Sequence, residues 1–244
     1  MIRRSIPTPA RLRAEEVLAR RRRRDATGRG IDPYAVSWVP PAEIVRISGR
    51  PRPRTGGNTA CGRIEAGEWD RVPPRAGEDT IARLVCAEQF DDTTHHRSLV
   101  DHFLHRVPWA ETDFIKALES LGGDAHWPAY ASPEAIRSTC ARLDALFARV
   151  ADRGLVSQRQ LAIETRSSDS FLSLMRNEIL VDVARTGELL FYEGRHRLSI
   201  AKILNLALIP VAFTTWHAEH PRVASASLGQ SRRRMSRLSL KLGE

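Results

Sequence analysis

The feature that most constrains the fold is the segment 189–204, in which an apolar run ends at a Glu-Gly pair and a helix-patterned run follows at once. Three cation-capable side chains begin that helix: Arg195, His196 and Arg197. A strand-to-helix turn of this kind brings backbone N–H groups, the positive end of a helix and basic side chains to one point. That arrangement binds phosphate and other small anions, so the sequence predicts an anion site at this turn.

The flanking sequence predicts a small α+β unit around the turn. Residues 178–183 alternate apolar and polar side chains as a strand does, residues 185–187 form a turn, and residues 188–192 complete a hairpin. A helix is predicted over residues 195–204, and a third strand over residues 209–213.

The order strand, Gly-x-x-Arg, helix and Ile-Pro-Val strand resembles the phosphate-binding segment of the ParB/sulfiredoxin-like superfamily. Gly194 matches the glycine of that pattern, and His196 and Arg197 match its basic pair. Ala201 matches the small helical residue, and residues 209–211 match the closing strand. The resemblance covers residues 155–213, which is the C-terminal half of the chain only.

The resemblance implies a nucleotide or phosphate pocket. ParB-type proteins bind CTP and clamp on DNA, whereas free-serine kinases and sulfiredoxins use ATP or ADP. On this basis CTP or ATP, with Mg²⁺, is the expected cofactor, and the cofactor-binding residues are Gly194, Arg195, His196 and Arg197. Glu193 and His196 are the candidate catalytic residues, because either could accept a proton and Glu193 could hold the magnesium ion.

Two departures from the superfamily narrow the expected activity. Residues 193–197 contain no cysteine, which sulfiredoxin requires inside this motif, so we do not expect a sulfinic acid reductase. Only about thirty residues follow Phe213, and they are rich in Ser and Arg. They cannot form a helix-turn-helix domain, so we do not expect a role in chromosome partitioning.

The leading hypothesis is a nucleotide- or phosphate-binding protein, such as a small-molecule kinase or nucleotide hydrolase. Its partner would be a nucleotide or a phosphorylated small molecule. One alternative is a DNA-associated ParB-like module that binds nucleic acid nonspecifically through basic arms. A second alternative is that the protein is an inactive scaffold. For the motif itself, the alternative is an ordinary strand-to-helix turn whose arginines are solvated.

The net charge of +9 is concentrated at the two ends of the chain. Residues 1–30 hold ten arginines against three acidic residues, and residues 221–244 hold six basic residues against one acidic residue. The body between them is therefore mildly acidic. Because dense like charges repel, residues 1–30 are predicted to be a solvated arm and residues 221–244 a basic tail.

The rest of the chain divides by pattern into an N-terminal extension, residues 31–130, and a ParB/sulfiredoxin-like domain, residues 131–220. The extension shows strand patterns near residues 36–39, 44–47 and 63–69, then mostly helical patterns over residues 80–121. Ser132, Pro133 and Glu134 are typical of a helix start, and Gly154 of a helix end. A helix is therefore predicted over residues 133–153.

Two further sets of chemistry-bearing residues are interpreted as structural. The first is a group of histidines, which we assign to a helix surface since they lack the i, i+4 pair of helical zinc sites: His95, His96, His102 and His105. A metal site there is conceivable, and no metal ligand is assigned. The second is Asp182, which the strand alternation places on the solvated face.

Cysteine usage and hydropathy indicate the compartment. The three cysteines are odd in number and widely spaced, which favours reduced thiols over a disulfide framework. No apolar stretch reaches the length that spans a bilayer, and no apolar run typical of a secretory signal lies near the start. We therefore expect a cytoplasmic protein without a membrane partner.

Overall fold

A single mixed sheet flanked by helices forms the described part of the chain, which in this computed structural model comprises residues 8–23, 31–50, 61–76, 80–122 and 127–223. The α+β class predicted from the sequence is confirmed. The strands are β1 (Val36–Val39), β2 (Arg46–Ile47), β3 (Arg63–Glu65), β4 (Ile179–Val183), β5 (Leu189–Glu193) and β6 (Ile209–His217). The helices are α1 (Thr8–Arg23), α2 (Thr80–Leu84), α3 (Thr94–Phe103), α4 (Asp113–Ser120), α5 (Pro133–Arg153), α6 (Gln158–Glu164), α7 (Phe171–Arg176) and α8 (Arg195–Ile203).

The strand order is β1-β6-β4-β5-β2, with β3 beside the second half of β6. As predicted, β4 and β5 form an antiparallel hairpin, in which Val181 lies opposite Phe191. On its other side β4 runs parallel to β6, with Val181 opposite Phe213. The helix α8 connects β5 to β6, and β6 continues four residues past the predicted strand because β3 pairs with its end.

Strands from the predicted N-terminal extension belong to this same sheet. β1 pairs antiparallel with β6, with Val36 opposite Ala212. β2 pairs in parallel with β5. Residues 31–65 therefore supply both edges of a sheet whose centre comes from residues 179–217.

The larger apolar core lies between one sheet face and the helices α3, α5 and α8. Ile179 and Val181 of β4 point into it, and so do Phe191 of β5 and Val211 of β6. The helix α5 has the boundaries predicted for it, because Ser132 Oγ accepts a hydrogen bond from the N–H of Ala135 and Gly154 ends the helix. These helices position the turn that precedes α8.

The opposite sheet face carries a second apolar cluster, into which the N-terminal helix α1 packs. Leu12 is fully buried against the residues of α7 and Leu180. Glu15 Oε2 accepts a hydrogen bond of 2.7 Å from the N–H of Phe171, which begins α7. The prediction of a solvated arm is thus wrong for residues 8–23, since this helix has few apolar side chains and still docks through Leu12 and Ala19.

We expect Leu12→Ala to lower the free energy of unfolding by about 2–3 kcal/mol, because the substitution leaves a cavity between α1 and α7. Leu18→Ala on the same helix is the matched control, since Leu18 is 52% exposed. Its loss should stay within about 0.5 kcal/mol. Urea unfolding of both variants checks this, and equal losses would show that α1 does not dock in solution.

Asp182 is fully buried in the middle of β4, which corrects the prediction of a solvated side chain. Its carboxylate accepts hydrogen bonds from Ser48 Oγ at 2.7 Å, from Arg50 Nε at 3.1 Å and from Thr214 Oγ1. The Arg50 guanidinium also lies 4.3 Å from the centre of the Tyr192 ring. This pairing compensates the buried charge and ties the chain after β2 to the sheet.

Among the described residues, no helix combines the length and apolar character needed to cross a bilayer. The three cysteines carry thiols rather than disulfides.

Candidate anion-binding site

The turn before α8 depends on Gly194. This residue adopts the left-handed conformation, with φ of 92° and ψ of 32°, and forms the N-cap of α8. A Cβ built on Gly194 would lie 3.0 Å from the Cα of Ile179 and 3.3 Å from the carbonyl oxygen of Glu178. The left-handed conformation and this close approach to β4 both select glycine.

The first turn of α8 presents positive potential without an internal counter-charge. No acidic residue lies in that turn, and Gly194 provides no capping side chain. The first backbone hydrogen bond of the helix runs from the N–H of Leu198 to the carbonyl oxygen of Gly194. The N–H groups of residues 195–197, which come before Leu198, lie at the positive end of the helix, where an anion is stabilised.

The three basic side chains of this turn do not converge, because successive helical residues point about 100° apart. Arg197 points towards Glu178, and His196 points towards Tyr130. The Arg195 guanidinium lies 5.1 Å from the ring centre of Trp127. The sequence pattern predicts that all three meet at one point, whereas in the structure Arg197 lines a cleft and the other two point to different neighbours.

Arg197 forms a buried ion pair with Glu178, whose nearest atoms, Nη1 and Oε2, are 3.5 Å apart. The side chains are 13% and 1% exposed, respectively. Neither atom has a hydrogen-bond partner among the described residues. Burial lowers the pKa of Arg197, and the charge of Arg149 adds to this effect.

Glu178 is held from the other side by the start of α6. Its Oε1 accepts a hydrogen bond of 2.6 Å from the N–H of Gln158. Burial raises the pKa of Glu178, while Arg197 and the N–H groups of Gln158 and Arg159 lower it. The carboxylate therefore lies between a helix start and a buried guanidinium.

A small cleft of about 30 Å³ opens beside this pair, between the end of α5 and the start of α6. Its lining includes Arg149, Arg153, Leu155, Gln158, Leu161 and Arg197. Arg153 is bonded to Glu164 at 2.6 Å, whereas Arg149 is exposed at the rim. The volume accommodates about two water molecules, so it can admit an oxyanion group but not a nucleoside.

His196 belongs to a separate cluster on the α3 side of α8. Its Nε2 is hydrogen-bonded to the hydroxyl of Tyr130 at 2.9 Å, and its ring centre is 5.0 Å from that of His95. Burial, aided by the charge of Arg195, lowers the pKa of His196 to about 3. A neutral imidazole was expected, but one with so low a pKa is too weak a base for the predicted proton transfer at neutral pH.

The histidines of α3 that were assigned to a helix surface are in part interior residues. His95 is 1% exposed and His96 is 7% exposed. Neither ring nitrogen of His95 has a hydrogen-bond partner within the described ranges. In the same ranges, no group of three or more His, Cys, Asp or Glu side chains is arranged to hold a metal ion.

Glu193, the other candidate catalytic residue, ends β5 opposite Leu180 of β4 and is partly buried. The structure thus places Arg197 on the cleft and Gly194 at the N-cap of the same helix, and it directs His196 elsewhere. Sequence reasoning missed Glu178 and Arg149 as members of the site. Glu178 was part of a predicted strand, and no spacing signal links it to Arg197, nineteen residues later.

No protein-family model matches this chain, and comparisons with curated proteins and with solved structures find no significant match.

Proposed function

We propose that this protein binds a phosphate-type oxyanion in the cleft beside Arg197, as part of a nucleotide or a phosphorylated small molecule. The observation that supports this most is Arg197 itself, which lines the cleft and whose buried Nη1 makes no hydrogen bond in the described chain, since its ion-pair partner, Glu178 Oε2, lies 3.5 Å away. A buried guanidinium with an unused N–H is costly unless a ligand or water completes its bonding.

The neighbouring groups suit the same ligand. Arg149 adds positive charge beside the cleft, where Arg153 is already paired with Glu164, and the first turn of α8 adds the helix dipole. Gly194 keeps the backbone of that turn close to β4. Guanidinium groups and backbone N–H groups together are the donors by which proteins hold phosphate oxygens.

The size of the cleft decides how a nucleotide would bind. ATP or CTP would present a phosphate to the cleft and leave its nucleoside outside. Glu193 is the residue we propose to contact a Mg²⁺ ion brought in on those phosphates, since Mg²⁺ commonly takes one or two protein carboxylates beside phosphate oxygens. Phosphoryl transfer or nucleotide hydrolysis is the activity that we propose for this site, and the cytoplasm is the compartment that we propose for the protein.

Arg149→Ala tests the site with little risk to the fold, because Arg149 is exposed. We expect phosphate, ATP and CTP, each with and without Mg²⁺, to raise the melting temperature of the wild-type protein. A ligand at about 100 times its Kd stabilises by about 2.7 kcal/mol. In Arg149→Ala the affinity should fall about tenfold, the effect of losing one charge-assisted hydrogen bond.

Arg137→Ala is the matched control, because Arg137 is exposed near the other end of α5 and bonded to Glu134. It should respond to each ligand like the wild type. Equal responses from all three proteins would place any binding elsewhere. Binding to DNA that weakens steeply with salt, without a nucleotide response, would instead favour the DNA-associated alternative.

A further inference from the structure

The ion pair of Arg197 and Glu178 beside the cleft is poorly bonded for a buried pair. Arg197 and Glu178 approach to 3.5 Å, and the two facing atoms make no hydrogen bond to any described residue. Burying two charges costs more than their attraction returns unless hydrogen bonds complete the pair. The pair is therefore an arrangement that a better-fitting anion can replace.

Glu178 uses the same groups that an external oxyanion would use. One of its oxygens takes the N–H of Gln158 at the start of α6, and the other faces Arg197. A phosphate or sulfate oxygen entering the cleft would meet Arg197 from the side of Arg149 and Arg153. The carboxylate and the ligand thus compete for one guanidinium.

We propose that Glu178 is a built-in occupant of the oxyanion site, and that a ligand binds by taking Arg197 from it while Glu178 takes up a proton. This inference rests on the proposed function, since it describes how the same cleft is filled. The proton balances the exchange: an anion enters, the carboxylate loses its cation and becomes a neutral carboxyl group, and Arg197 stays charged.

The charges around Glu178 support uptake of a proton at this residue. The groups that face it are Arg197 on α8 and the N–H groups of Gln158 and Arg159 on α6, with Arg149 and Arg153 across the cleft on α5. Burial already raises the pKa of Glu178, and Arg197 is the main side chain that opposes this. When the guanidinium turns to a ligand, the pKa must rise further.

The pH dependence of binding follows from this linkage. A complex that holds more protons than its separate components becomes tighter as the pH falls. Sulfate is the appropriate probe between about pH 7.5 and about pH 5.5, since its charge is constant there whereas that of phosphate is not. We expect the wild-type protein to bind sulfate more tightly at the lower pH, with chloride at equal ionic strength as the reference.

Glu178→Gln removes the competing charge and keeps the shape of the side chain. We expect this variant to bind sulfate about tenfold more tightly than the wild type at neutral pH, with a flat pH profile. Glu164→Gln is the matched control, because Glu164 pairs with Arg153 beside the cleft but does not contact Arg197 in the pairs described. It should keep the wild-type pH profile.

Glu178→Gln leaves a buried guanidinium unpaired and could fold poorly without sulfate, so a second measurement is made on the wild-type protein. Titration calorimetry in two buffers of different ionisation enthalpy counts the protons taken up when sulfate binds. Uptake of a proton supports the inference. Binding without proton uptake, or equal affinity in Glu178→Gln, overturns it and leaves the proposed function standing. Absence of sulfate and nucleotide binding in every protein overturns both.

Discussion

Below pH 6.5, the ordinary histidine value, the free energy of unfolding is expected to fall by about 1.4 kcal/mol per pH unit for each of two histidines, His95 and His196. Burial lowers the pKa of both, so the folded protein favours their neutral forms. This stability is fully present above the unfolded pKa and is lost as the pH falls towards the folded pKa. Because the pKa of His196 in the folded protein is about 3, this residue alone lowers the free energy of unfolding by about 3 kcal/mol between neutral pH and about pH 4.5.

His95→Phe isolates one of these two contributions. The phenyl ring does not titrate, and it replaces two ring nitrogens that have no hydrogen-bond partner in the described chain. Its neighbours are aromatic, since the ring of Phe114 lies 5.0 Å away in an edge-on arrangement. We expect the free energy of unfolding of the variant to equal that of the wild type near neutral pH. In acid, the variant should become more stable than the wild type by about 1.4 kcal/mol for each pH unit.

Urea unfolding at a series of pH values measures the difference between the two proteins directly. His105→Gln is the control for replacing a histidine, because His105 is exposed just past the end of α3. A constant difference between His95→Phe and the wild type from neutral to acid pH would contradict the prediction. It would show that His95 is protonated as easily in the folded protein as in the unfolded chain.

Gly194→Val is expected to lower the free energy of unfolding by about 3–5 kcal/mol and to abolish binding at the cleft. The substitution has two costs. A branched side chain must adopt the left-handed conformation with φ of 92°, and its Cβ would lie 3.0 Å from the Cα of Ile179. Backbone, unlike the end of a flexible side chain, cannot move aside cheaply.

Gly187→Val separates these two costs. Gly187 has almost the same φ, 93°, but a Cβ there would lie 3.7 Å from its nearest neighbour, His220, which is an ordinary contact. The control should therefore lose only the conformational part, about 1–3 kcal/mol. Chemical unfolding compares the two variants. Equal losses in the free energy of unfolding would mean that the close approach of residue 194 to β4 does not contribute to the effect of Gly194→Val.

The protein's sequence by itself determined the elements whose signals are local. The helix α5 has its predicted ends because Ser132 caps its start and Gly154 ends it, and the hairpin of β4 and β5 follows from alternation around a short turn. The position of Gly194 at a strand-to-helix turn was predictable for the same reason. Each of these features depends on neighbours within a few residues.

Only the tertiary structure decided which side chains meet. Asp182 is buried because Ser48 and Arg50, more than 130 residues earlier, supply its hydrogen bonds. Arg197 pairs with Glu178 and does not converge with Arg195 and His196 on one point, because successive side chains of a helix point in different directions. Burial and pairing depend on contacts between distant parts of the chain, and a local pattern contains no information about those contacts.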